Sequence, residues 1–205
     1  MNKTDLLDQI EKAIRSCRQC RLYRTRTHPV PGEGSSAAPI AFVGEAPGYN
    51  EDQQGRPFVG KAGQLLDELL ASIILRRSDV WIGNVIKDRP PENREPMVDE
   101  IRACWPYLEE QLRCIKPRLV VPLGRVAMAQ FLKEAQISKC HGQPKRVGNY
   151  VVYPLFHPAA ALRSASVLRV LRQDFLEIPQ ILQMDPKEIE AEVSGKAPEN
   201  QMSLL

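Results

Sequence analysis

The chain has 205 residues, a formal net charge of +3, and hydrophobic and charged fractions of 43% and 26%. These values are typical of a folded globular protein, and they exclude a collagen-like, amyloid-forming or largely disordered chain. No apolar run approaches the roughly 18 residues that a membrane span needs, and the N-terminal segment predicts an amphipathic helix instead of a signal peptide. We therefore expect a cytoplasmic protein.

Apolar periodicity, with Gly and Pro as breakers, predicts strands that alternate with helices. A helix over residues 4–15 precedes an irregular segment over residues 16–39 that is rich in Cys, Arg, Pro and Gly. The predicted strands are 40–43, 80–85, 119–123 and 150–155, and the remaining predicted helices are 63–75, 96–115, 125–134 and 166–182. This alternation predicts an α/β fold with a central, mainly parallel sheet of four strands.

Ligands bind beyond the carboxyl ends of the strands in such a sheet. The residues expected to precede functional positions are therefore the strand-end residues Val43, Ile82, Leu123 and Leu155. Residues 1–184 should form one domain, and the polar residues 185–205 should form a flexible tail.

Basic residues are concentrated in two windows of the chain. Residues 12–26 hold six of them, residues 135–173 hold six more, and neither window contains an acidic residue. Because the net charge is only +3, the rest of the chain carries −9. This asymmetry predicts a face that binds a polyanion, with nucleic acid as the leading candidate and Lys145 and Arg146 as candidate DNA contacts. Solvated charge on helix faces is the alternative interpretation.

The spacing of the cysteines is the next signal. Cys17 and Cys20 form a C-x2-C pair in an Arg-rich stretch, and Cys104, Cys114 and Cys140 lie far downstream. In a chain without a signal peptide, such a pair indicates a metal or a cluster before it indicates a disulfide. A redox pair or two idle thiols remain alternatives.

Five segments together resemble one known family. They are GEAPGYNEDQQGRPFVGKAGQLLDELL (44–70), GNVIKDRPPENREP (83–96), RACWPYLEEQL (102–112), VPLGRVA (121–127) and YPLFHPAAALR (153–163). In this order they resemble the family 4 uracil-DNA glycosylases, which carry a 4Fe-4S cluster. The resemblance covers about residues 14–182.

The resemblance implies a three-layer α/β sandwich and a DNA repair activity. Such an enzyme turns deoxyuridine out of single- or double-stranded DNA and hydrolyses its N-glycosidic bond, which releases uracil and leaves an abasic site for base excision repair. The expected protein is a monomer whose partners are DNA and, further along the pathway, a sliding clamp or another repair protein.

The resemblance also assigns a uracil pocket. Phe58 stacks on the base, the Asn84 amide bonds O4 and N3–H of uracil, and Glu51 crowds the C5 edge against a thymine methyl group. His157 donates to O2, where negative charge grows, and the backbone N–H of Gly44 adds a dipole. The structural alternatives are a core Phe, a turn-forming Asn and a buried structural His.

The residue that orients the attacking water is less clearly defined. The best-known glycosylases place an Asp two residues after the Gly of the first motif, whereas this chain has Ala46. Glu45 and Glu51 are the remaining carboxylates, and Glu45 is favoured as the group that positions water. Leu162, or the adjacent Arg163, is the expected wedge that fills the gap left by the departed base.

The predicted cluster site departs from the family pattern. The family uses four cysteines, and Cys17, Cys20 and Cys104 match three of them, but Asp88 stands in the remaining position. A carboxylate is a harder ligand than a thiolate and should weaken one iron. We expect a 4Fe-4S cluster held by three Cys and Asp88, with a 3Fe-4S cluster or ligation by Cys140 as alternatives. The cluster would act as a structural staple for the Arg-rich stretch.

Three other functions compete with turnover. A non-catalytic protein could keep the basic face and lose cleavage, and a zinc protein could use the same four ligands. A related group in the superfamily traps uracil-DNA covalently through a histidine in an inserted loop before the last cluster cysteine. Residues 85–103 contain neither an insertion nor a histidine, so turnover is preferred.

Overall fold

A six-stranded sheet forms the centre of the structure, a computed structural model that describes residues 2–189. Its strands are β1 (Glu33–Gly34), β2 (Ile40–Gly44), β3 (Trp81–Asn84), β4 (Leu119–Pro122), β5 (Lys145–Val147) and β6 (Tyr150–Val152). They lie in the order β1-β3-β2-β4-β6-β5, and the four inner strands are parallel. The predicted α/β class is therefore confirmed, and the four predicted strands are the parallel ones.

The prediction of four strands missed both edges of the sheet. β1 and β5 pair antiparallel with β3 and β6. β1 has only two residues and lies in a Gly-rich stretch that carries no strand pattern. β5 is joined to β6 by the two-residue turn Gly148–Asn149, in which Gly148 has a φ of +55°. That turn is a hairpin signal that the sequence does contain.

Eight α-helices occur in residues 2–189. They are α1 (Lys3–Ser16), α2 (Tyr49–Gln54), α3 (Lys61–Ser72), α4 (Val98–Ile115), α5 (Arg125–Ala129), α6 (Ile137–Cys140), α7 (Pro158–Ala161) and α8 (Ala165–Ile181). The five predicted helices correspond to α1, α3, α4, α5 and α8, although α5 is shorter than predicted. The three others have four to six residues, too few to show a helical period. None of the helices in this range is long and apolar enough to cross a bilayer.

Both faces of the sheet are buried, which gives three layers. Along β2, Ile40 and Phe42 face a core cluster that contains residues of α3 and α8, whereas Ala41 and Val43 face a second cluster that contains residues of α4. The ring of Phe42 stacks on Phe175 of α8 at a centroid distance of 5.6 Å. A strand that is apolar on both faces is typical of a parallel sheet between helices.

The first residues of the predicted tail pack against the domain. Residues 185–189 form turns, and Ile189 is buried in the core cluster that contains Phe42. The apolar side chain of Ile189 explains this packing, because burying it against the core removes it from water. Residues 190–205 of the predicted tail lie outside the described residues.

Candidate active site

The ends of the parallel strands bring three distant segments together. Gly44, the last residue of β2, is paired with Asn84, the last residue of β3. A Cβ atom added to Gly44 would lie 2.4 Å from Oδ1 of Asn84 and 2.6 Å from Cζ of Phe58. The missing side chain of Gly44 is therefore what allows the amide and the ring to approach each other.

Phe58 forms one wall of this site together with His157. Their ring centroids lie 5.7 Å apart, with 27° between the ring planes. Phe58 has a φ of +52°, an unusual value for a residue with a side chain, and Arg77 donates to the backbone oxygens of Pro57 and Phe58. These bonds hold the strained backbone in place, as is common at ligand sites.

Asn84 presents its side-chain amide to the site, with Oδ1 beside Gly44. Its side chain is only 2% exposed, and within residues 2–189 the amide makes no hydrogen bond to the protein. The donor and the acceptor of this amide are therefore available to a ligand in the site. A turn-forming role, the structural alternative from the sequence, does not fit these contacts.

A buried lysine holds the backbone of Asn84. Nζ of Lys87 donates to the Asn84 carbonyl oxygen at 2.9 Å and to Oε1 of Gln111 at 2.8 Å, and Gln111 in turn donates to the Pro31 carbonyl oxygen. Burial lowers the pKa of Lys87 to about 8. Sequence reasoning missed this residue, although a lysine at the end of an otherwise apolar run is a visible signal.

His157 caps the short helix α7 and is held as a neutral donor. Its Nδ1 accepts the backbone N–H of Ala159 at 3.1 Å, which assigns the proton of the neutral ring to Nε2. Burial, and then the charge of Arg163, lower the pKa of His157 to about 4. The imidazole therefore remains uncharged near neutral pH and can donate from Nε2.

The two candidate carboxylates have different surroundings. Glu51 accepts the backbone N–H groups of Gly48, Val59 and Gly60 at 2.9 to 3.1 Å, so it braces the loop that carries Phe58. Glu45 is half-buried, and within the described part of the chain its carboxylate makes no hydrogen bond. Burial, reinforced by Glu95, raises the pKa of Glu45. Glu45 is thus the carboxylate with free acceptor positions.

The predicted DNA contacts lie at two different places. Leu162 directly follows α7 and is 50% exposed, and Arg163 next to it is also exposed, so both lie at the rim near His157. Lys145 and Arg146 lie on the edge strand β5 and are not among the residues that converge on the site.

The four predicted cluster ligands do not form a metal site. Both carboxylate oxygens of Asp88 accept hydrogen bonds from Nη1 of Arg26, at 2.8 and 3.0 Å. Sγ of Cys104 accepts the backbone N–H of Lys87, and Sγ of Cys17 accepts that of Gln19. Among residues 2–189 no group of three or more Cys, His, Asp or Glu side chains is arranged to hold a metal ion. Because Arg26 takes up the Asp88 carboxylate, the set is one ligand short, and a zinc ion or an iron–sulfur cluster that needs all four ligands does not fit these residues.

The alternative ligand Cys140 is also misplaced. It lies on α6 beside Met128, with its Sγ 3.2 Å from the Met128 sulfur, and it packs against a small core cluster at that end of the sheet. Cys20 and Cys104 belong to a different cluster, beneath α4. The separation follows from the topology, because Cys140 packs beside the outer strands β5 and β6, whereas Cys104 packs in a cluster with residues of β2, β3 and β4.

Comparison with known proteins identifies the superfamily of the chain. A family model described as the uracil DNA glycosylase superfamily matches residues 31–178. The chain therefore belongs to the uracil-DNA glycosylase superfamily.

Individual relatives define the family more narrowly. The chain is 43% identical over 192 residues to the type-4 uracil-DNA glycosylase of Saccharolobus solfataricus, which covers 89% of each chain. It is 44% identical over 188 residues to that of Sulfurisphaera tokodaii, with 86% of this chain and 85% of the relative covered. For that of Archaeoglobus fulgidus the identity is 47% over 185 residues, with 85% and 92% covered. Within the superfamily the chain is thus a member of the type-4 family.

Proposed function

We propose that this protein is a uracil-DNA glycosylase that hydrolyses the N-glycosidic bond of deoxyuridine turned out of DNA. The observation that carries the proposal is the meeting of Phe58, the Asn84 amide and the neutral His157 at the ends of β2, β3 and β6. A flipped base needs a ring to stack on, a partner for its Watson–Crick edge and a donor for its developing charge. These three side chains supply one of each.

The pocket reads uracil by its hydrogen-bonding edge. The Asn84 amide offers a donor to O4 and an acceptor to N3–H, and cytosine reverses both groups. Stacking on Phe58 contributes about 1–3 kcal/mol and is indifferent to the kind of base. Glu51, held by its three N–H donors, is proposed to crowd the C5 edge so that a thymine methyl group does not fit.

The chemical step places negative charge on the departing base. As the bond between C1′ and N1 breaks, its electron pair moves to uracil and is shared with O2, and the sugar becomes oxocarbenium-like. Nε2–H of His157 donates to O2 and favours that charge, a contribution of about 2.7–4 kcal/mol for one such donor. Water then adds to C1′, its proton passing to the base through solvent, and Glu45 is proposed to orient that water.

DNA is bound mainly through its phosphates. The five exposed basic residues of residues 12–26 and the pair Lys145 and Arg146 are proposed to contact the backbone, and Leu162 or Arg163 to fill the gap in the stack. Affinity should therefore fall steeply with salt. We further propose a monomer that acts in the cytoplasm on the nucleoid, with a sliding clamp or another repair protein as its partner.

Release of uracil from defined oligonucleotides tests the function. We expect Asn84→Ala to lower the rate by at least roughly 100-fold, because the base then loses both partners of its edge. Asn149→Ala, in the exposed turn between β5 and β6, is the matched control and should leave the rate unchanged. Tight binding of uracil-DNA without release, or a covalent adduct on denaturing gels, would instead support one of the two non-turnover alternatives.

A further inference from the structure

A buried ion pair occupies the position where the family resemblance requires an iron ligand. The side chains of Asp88 and Arg26 are 5% and 12% exposed, and one guanidinium nitrogen contacts both carboxylate oxygens. The other terminal nitrogen of Arg26 donates to the carbonyl oxygen of Arg15 at 3.1 Å. Arg26 therefore joins the end of α1, the Arg-rich stretch and the loop after β3.

Iron binding by Asp88 would require this pair to be broken. Arg26 would then be left as a buried cation without its partner, which is costly. Iron–sulfur clusters are held by thiolates, and a carboxylate is a poor match for their soft ligand set. The chemistry of the pair thus opposes a fourth ligand at this position.

The Arg-rich stretch and its continuation are fixed by other contacts as well. Leu22 is buried in the core cluster that contains Leu108 of α4. The N–H of Thr27 donates to the buried carboxylate of Asp52 at 2.9 Å, and the N–H of Val30 donates to the Lys87 carbonyl oxygen at 2.7 Å. Residues 22–30 are therefore anchored to three different elements by contacts within the protein.

We propose that this chain folds without an iron–sulfur cluster and that the Arg26–Asp88 ion pair is the cross-link that holds the Arg-rich stretch in place. The juxtaposition that supports this is a buried carboxylate neutralised by a guanidinium at a position where a thiolate ligand would be needed. We also expect the cluster-free protein to excise uracil; this expectation rests on the function proposed above, whereas the cross-link does not.

Metal analysis of the full-length chain is the first test. The protein is produced in iron-replete cells, purified anaerobically and then incubated with ferrous iron and sulfide. We expect a colourless protein that takes up neither, and stoichiometric iron and acid-labile sulfide would overturn the proposal. The variant Asp88→Cys/Arg26→Gln completes the four-thiol set and is expected to become brown under the same treatment.

Thermal unfolding tests the cross-link itself. Arg26→Gln and Asp88→Asn should each lower the melting temperature by roughly 5–10 °C, and the double variant should melt no lower than the less stable single one. The exposed ion pair between Arg76 and Asp79 is the matched control, so Arg76→Gln should change the melting temperature little. A Cys17→Ser/Cys20→Ser variant that melts as low as Arg26→Gln would overturn the proposal, because thiols would then hold the segment.

The two proposals fail separately in these experiments. An iron-free chain with the expected melting shifts but no uracil release would leave the cross-link standing and remove the proposed function. Conversely, uracil release by a chain that contains an intact cluster, and that loses stability when iron is removed, would support the function and overturn the cross-link.

Discussion

Asn84 and Asp88 are four residues apart, yet the two regions to which they belong have kept the family pattern to different degrees. Around Asn84, the side chains of Phe58 and His157, which the resemblance also predicts for the uracil pocket, lie close together. At position 88 an aspartate stands in place of one of the four cysteine ligands expected from the resemblance, and its carboxylate is paired with Arg26. A base presents a fixed pattern of donors and acceptors, so the side chains of a pocket that recognises it can vary little. A cross-link only has to hold two segments together, and a buried ion pair can do this as well as a cluster.

This comparison predicts two separable kinds of variant. A change in the pocket should slow uracil release while the melting temperature stays nearly constant. A change in the Arg26–Asp88 pair should lower the melting temperature while the rate per folded molecule stays nearly constant.

The largest effect is expected for His157→Leu. The variant removes the donor to O2, and we expect uracil release to fall by about 100- to 1000-fold in single-turnover measurements. Affinity for a uracil-containing oligonucleotide should change little, because the donor acts mainly as the charge develops. An equal loss of affinity and rate would mean that His157 binds the base in the ground state and would weaken the division between the two regions.

Lys87→Met should affect both properties, because Lys87 lies between the regions. The variant leaves the Asn84 carbonyl oxygen and Oε1 of Gln111 without their donor. We expect a melting temperature lower by roughly 5–10 °C and uracil release slower by about tenfold. Lys61→Met, at the exposed start of α3, is the control and should change neither. A loss of stability alone would show that Asn84 keeps its position without this network.

Local sequence patterns predicted the parallel strands and the edge of the sheet where the site lies. Apolar runs marked the four parallel strands, and the rule that ligands bind at their carboxyl ends placed Asn84 and His157 near each other. The bracing role of Glu51 was not predicted, because its partners at Val59 and Gly60 are defined only once the loop closes.

The Arg26–Asp88 ion pair could not be predicted from the sequence for a related reason. Arg26 and Asp88 are separated by 62 positions, and nothing in either segment marks the other as its partner. The cysteine spacing instead suggested that Asp88 is a ligand. The hydrogen-bond partners of Lys87 are a similar case, since they come from β3 and α4.

The pH dependence of stability gives a smaller effect that also belongs to the pocket. The pKa of His157 is lowered from 6.5 to about 4 in the folded protein. As the pH falls from 6.5 towards 4, the unfolded chain therefore takes up a proton that the folded chain does not, and the melting temperature should fall. His157→Leu should lose this part of the dependence, whereas Asp88→Asn should keep it. Parallel curves for the wild type and His157→Leu would contradict the buried neutral imidazole.

The smallest effect is expected for Leu162→Ala, and only on double-stranded DNA. Leu162 is 50% exposed at the rim, and Leu176 on α8 is 58% exposed and serves as the matched control. A wedge compensates for unstacking, so its loss should slow release from a duplex by about five- to tenfold and leave release from a single strand unchanged, because a single strand has no gap to fill. An equal loss on both substrates would mean that Leu162 shapes the pocket itself. No loss on either would assign the wedge to Arg163, and Arg163→Ala would then show the duplex-specific defect.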